Sequence, residues 1–108
     1  MSWKHRNPAT VAEHVAIGAA IQDAEDAVHA LLSYSRHFNA NESKRLCMTL
    51  DSLSRLKSRM EGAMLQEHPH LPWPQASAVY YRSGDENAVE YVRYILDEYG
   101  DQPDEGAL

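Results

Sequence analysis

Six histidines in 108 residues raise metal binding before any other chemistry. Asp26 and His29 place a carboxylate and an imidazole three residues apart, and Glu67 and His70 repeat that spacing. A di-iron bundle uses two Glu-x-x-His pairs and further carboxylates from two more helices, all facing inward. Here Asp26 and His29 fall on a polar helix face, and Pro69 interrupts the second pair. The inward carboxylates are missing. The sequence therefore predicts no metal and no cofactor. His68 and His70 offer only a loose pair in extended chain, which is weak without a third ligand.

Nucleophilic catalysis finds no support either. Cys47 is not beside a histidine in sequence, nor at a helix N-terminus near enough to activate it. Its helical position is expected at the edge of the core, near Leu65. The five glycines form no phosphate-binding loop, and no serine sits on a strand-to-helix elbow. The chain reads as a protein that is not an enzyme.

Recognition residues are better represented. Tyr80, Tyr81 and Arg82 could stack a base and hold a phosphate. Arg55 and Arg59, with Lys44 and Arg45, mark a basic side of one helix that could join them in binding a small anion. Glu86, Glu90 and Asp97 fall within about 40° of one another on a wheel advancing 100° per residue. With Asp101, Asp104 and Glu105 they form an acidic surface suited to a basic protein partner. Pro69-His70-Leu71-Pro72 has the letters of a polyproline ligand. Trp73 is expected to anchor this stretch or to touch a partner.

Two long helices must position these groups. Thr10 and Glu13 have capping-box spacing, which starts the first helix; the alternative is a start one turn earlier at Pro8, with Asn7 as cap. Ile17, Ile21, Ala24, Val28, Leu31, Ser35 and Phe38 then recur as a heptad seam. Leu46, Leu50, Leu53, Leu56, Met60, Ala63 and Met64 make a second stripe after a break at Asn39–Asn41, where either asparagine could serve as cap. His68-Pro69 ends it, because proline disfavours helical geometry in the preceding residue. The short connection predicts an antiparallel hairpin. In that register Asp23, Glu25 and Asp26 lie near Arg55, Lys57 and Arg59.

A proline-rich crossing follows at 68–76, and residues 76–82 are ambiguous between a short helix and extended chain. Ser83 or Asp85 is expected to cap a third amphipathic helix with Ala88, Val92, Ile95 and Tyr99 inward, extended by Val89 and Leu96. The predicted fold is all-α: a single domain over 1–100 with helices at about 10–37, 42–67 and 85–99, then a disordered acidic tail at 101–108. Two helices alone bury a thin core. The third helix and a second subunit are expected to complete the bundle, with a dimer as the first expectation. Trp3 is expected to pack on the hairpin or on a partner.

The net charge of −6 is uneven. Residues 1–82 balance near neutrality, with nine Lys/Arg and eight Asp/Glu, whereas residues 83–108 carry eight acidic groups and one arginine. That argues against direct nucleic-acid binding, which needs Lys and Arg on phosphate. No apolar run approaches the roughly 20 residues that span a bilayer, and the start lacks a signal-like apolar core. A single cysteine excludes an internal disulfide, and a cytoplasmic location is expected. These features together predict a small non-enzymatic interaction protein: a regulator, adaptor or inhibitor. The alternative is an oligomeric binder of a small anion such as a nucleotide.

Overall fold

The computed structural model describes residues 7–73, 75–82 and 86–100. Among them every regular element is helical. Three α-helices, α1 (Val11–Leu32), α2 (Ala40–Glu67) and α3 (Ala88–Tyr99), are joined by short 3-10 turns at Ser35–His37 and Gln75–Val79. No described helix is long and apolar enough to cross a membrane. Trp3, the Ser83 or Asp85 cap and the tail at 101–108 lie outside the described residues.

Both long helices begin as their sequences dictate. Thr10 Oγ1 accepts from the Glu13 N–H, and the Glu13 carboxylate accepts from the Thr10 N–H at 2.8 Å. Asn39 and Glu42 repeat the arrangement at the start of α2, so of the two candidate asparagines Asn39 is the cap. Each box satisfies two N–H groups that the first helical turn leaves open. α1 stops at Leu32, five residues before the expected end. Ser33 takes the cap position, its hydroxyl donating to the Ala30 carbonyl at 2.6 Å, and the chain tightens into the 3-10 turn. α3 begins three residues later than expected, with Asn87 in the cap position.

Contacts between α1 and α2 run in opposite senses along the chain. His14 meets Glu67, and Glu25 meets Lys57 at 3.1 Å. The second pair belongs to the charges expected near one another in this register, where a surface pair would be solvent-exposed. It is instead largely enclosed, each side chain being 12% exposed.

The face α1 buries also differs from the expected seam. Its buried residues are Val11, His14, Gly18, Ile21 and Val28, whereas Ile17 and Ala24 are half-buried and Leu31 is exposed. The two sets share Ile21 and Val28 but are rotated by roughly 70° at 100° per residue. The rotation follows from a third partner. The 3-10 turn Gln75–Val79 and Tyr80 pack onto α1 so closely that a Cβ on Gly18 would lie 2.0 Å from the Val79 carbonyl oxygen. Only glycine admits that approach.

The main core joins Val11, Ile21, Met64, Leu71, Ala76, Val79, Tyr80 and Ile95. A smaller cluster of Ala78, Ala88 and Val92 seats α3. The crossing is anchored by buried Leu71; Trp73, expected in that role, is 59% exposed. Val89, expected to extend the inner face of α3, is exposed, and so is Cys47.

All of this core lies toward one end. Residues 29–62 contain no buried side chain. The radius of gyration, 16.0 Å, exceeds the roughly 13 Å of a compact chain this long. Among the described residues, nothing further packs on the far half of the α1–α2 pair.

Candidate functional site

Pro69 shapes a polar cluster built into the core around His14. It stops α2 at Glu67, and His68 leaves helical geometry at φ −134°, ψ 68°. On a continuing helix, adjacent residues diverge by 100°. The break lets His68 turn to the same side as Glu67. α1 supplies His14 from the opposite direction, on its buried face.

His14 is fully buried. Its Nε2 lies 2.8 Å from Glu67 Oε1, and its Nδ1 lies 2.5 Å from the Tyr80 hydroxyl. A neutral ring donates Nε2–H to the carboxylate and accepts from the tyrosine; an imidazolium donates to both. Glu67 Oε1 also accepts the Ala9 N–H at 3.1 Å. The His68 Nε2 is 2.8 Å from the Ala9 carbonyl oxygen. A carbonyl only accepts, so Nε2 carries a proton, and in the neutral ring Nδ1 then keeps the lone pair. The rings continue outward: His68 sits 5.9 Å from His14 and 6.1 Å from His70, and His70 sits 5.4 Å from Tyr99.

Glu67 is a carboxylate in the last turn of a helix, the end whose partial charge is already negative. His14 and the Ala9 N–H offset that placement. Hydroxyl, imidazole and carboxylate in line have the chemistry of a proton relay. Tyr80 is 1% exposed, however, so no substrate reaches its oxygen in this arrangement. The line holds α1, the end of α2 and the segment after Val79 together. Sequence reasoning weighed Glu67 only with His70 and overlooked His14. One signal was present: His14 occupies the repeat 11, 14, 18, 21, 25, 28, where every other residue except Gly18 and Glu25 is apolar.

The residues expected to bind an anion are dispersed. Tyr80 is in the core. Tyr81 is 39% exposed, and Lys57 Nζ stands 4.9 Å from its ring centre. Arg82 donates to the carbonyls of Ala78 and Val15, both at 3.3 Å. Burial lowers its guanidinium pKa, partly countered by Asp23. Arg55 pairs with Asp51 one turn away at 3.1 Å, with both side chains exposed. Arg59 lines an open depression with Ser52, Arg55, Leu56 and Ser58. Lys57 points toward Tyr81, and residues two positions away on a helix point to the other side. Arg55 and Arg59 therefore do not converge with Tyr81 and Arg82. Glu86, Glu90 and Asp97 are all exposed, as expected of a surface.

Comparisons with known protein families, curated proteins and solved structures give no match to this chain.

Proposed function

We propose that the protein is a small non-enzymatic interaction protein, its α1 and α2 forming an antiparallel hairpin whose far half docks a second copy of the chain. One observation carries the reading: Leu31, Tyr34, Met48 and Leu56 are 44–61% exposed on the half of the hairpin that no third layer covers among the described residues. Large apolar side chains gathered on an uncovered surface mark interaction sites.

Charge supports a second copy as the occupant. The outer face of α2 mixes Met48 and Leu56 with Lys44, Arg45, Arg55 and Arg59 around its open depressions. Exposed Glu86 precedes α3, and Glu90 and Asp97 are exposed on it. A two-fold pairing sets each basic face against the other copy's acidic one, so both contacts form twice.

Sedimentation equilibrium at low salt tests this. The expected mass is twice the 12.2 kDa chain, falling toward the monomer with added salt and in a Leu31→Glu/Met48→Glu variant. A monomer at high micromolar concentration rejects the dimer. A nucleotide-induced thermal shift abolished by Arg82→Ala would favour the anion-binding alternative in its place.

A further inference from the structure

We propose that His14, Glu67 and His68 form a binding site for a divalent transition-metal ion, of which zinc fits best. One ligand atom from each residue lies within 4.8 Å of the other two. In a tetrahedral site with metal–ligand bonds near 2.1 Å, ligand atoms stand about 3.4 Å apart. The present spacings, from the 2.8 Å of His14 Nε2 to Glu67 Oε1 up to that limit, bracket the value. Small side-chain rotations bring all three into range.

The surroundings are those a metal centre requires. Metal-binding histidines generally donate their second ring N–H to a carbonyl, carboxylate or water, which fixes the tautomer. His68 already does this through Nε2 to the Ala9 carbonyl, leaving Nδ1 as the metal-facing nitrogen. His14 has Tyr80 oxygen at Nδ1, so its Nε2 faces Glu67. When a metal replaces the proton between them, Nδ1–H donates to the Tyr80 oxygen and both atoms bind the ion. Two imidazoles and one carboxylate are a nitrogen–oxygen set suited to zinc. Glu67 and His68 are half-buried rather than enclosed, which leaves the fourth position to a water molecule. The ion would tie α1 to the end of α2 beside the existing hydrogen bonds.

The test is calorimetric titration of the full chain with zinc alone, alongside cobalt(II) absorption spectra, which distinguish tetrahedral from octahedral coordination. Expected are one ion per chain, a tetrahedral cobalt spectrum and a raised melting temperature. Glu67→Gln keeps the oxygen that accepts from Ala9 and His14 but removes the charge. His68→Ala removes a ligand at the rim without touching the buried ring. Each should weaken binding by at least about tenfold, since even outer-shell partners cost that much. Circular dichroism shows whether each variant is folded; if Glu67→Gln is not, His68→Ala decides alone. His29→Ala, at the other end of α1, should bind as the parent does. Absence of one-to-one binding by the folded parent overturns the proposal. So does unchanged affinity in folded Glu67→Gln and His68→Ala.

Discussion

The Cα of Gly18 faces the carbonyl oxygen of Val79 so closely that a Cβ would stand 2.0 Å from it. That oxygen belongs to backbone, so relief requires the 3-10 turn to move off α1. Moving it would also disturb Tyr80, the next residue, and its hydrogen bond to His14. Gly18→Ala should therefore destabilise the fold by about 1–3 kcal/mol, although alanine is the better helix former by about 1 kcal/mol. Gly62→Ala is the control. Beyond its own stretch of helix, no described atom lies within 4 Å of its Cβ position, and the substitution should be neutral or stabilising. Urea denaturation of the two variants measures both.

Tyr80→Phe removes the hydroxyl 2.5 Å from His14 Nδ1 and keeps the ring in the core. Loss of a buried hydrogen-bond partner costs about 1–3 kcal/mol. Chemical denaturation should show that loss with an unchanged helical spectrum. A stability equal to the parent's would mean that the hydroxyl contributes nothing net.

Glu25 and Lys57 form the enclosed ion pair between α1 and α2. Lys57→Met alone leaves the Glu25 carboxylate without this partner and should cost about 1.5–3 kcal/mol, the range for a hydrogen bond to a charged group. Adding Glu25→Leu should recover much of the loss, because apolar replacement of both members of an enclosed pair is often neutral. A double-mutant cycle measures the coupling. A second substitution that only adds to the damage would contradict the expectation.

Thr10→Ala opens the first capping box and should cost about 0.5–2 kcal/mol. The Asn39→Ala variant should lose a similar amount at the start of α2. Thermal melts of both variants check the size, and losses well below this range would show that tertiary packing alone starts the helices.

Cys47 adjoins Met48 in sequence on the half of α2 proposed above to dock a second copy, and its thiol is exposed in the single chain. Its alkylation rate should therefore fall as protein concentration rises through the dimerisation range. The Leu31→Glu/Met48→Glu variant should react at one concentration-independent rate. Equal concentration independence in the parent chain would place the interface elsewhere.

Local rules made much of this protein legible from its sequence. Thr10 with Glu13, and Asn39 with Glu42, start their helices through bonds spanning three residues. Pro69 stops α2, and Ala88, Val92 and Ile95 supply the buried face of α3. Each effect acts within a turn or two, where residue type alone decides it. The choice of which α1 face is buried was not legible, because it depends on where the crossing lays Val79 and Tyr80. Hydrophobic periodicity gives no weight to Gly18 or His14, and those two residues make the contact. Tyr80 and Glu67 reach His14 across 66 and 53 positions of chain. Leu71 takes the anchoring role expected of Trp73, two residues away in one proline-rich stretch, for the same reason. Sequence determined that the chain is helical and where its two long helices begin. Only tertiary packing, which brings distant segments to one point, decided which side chains meet.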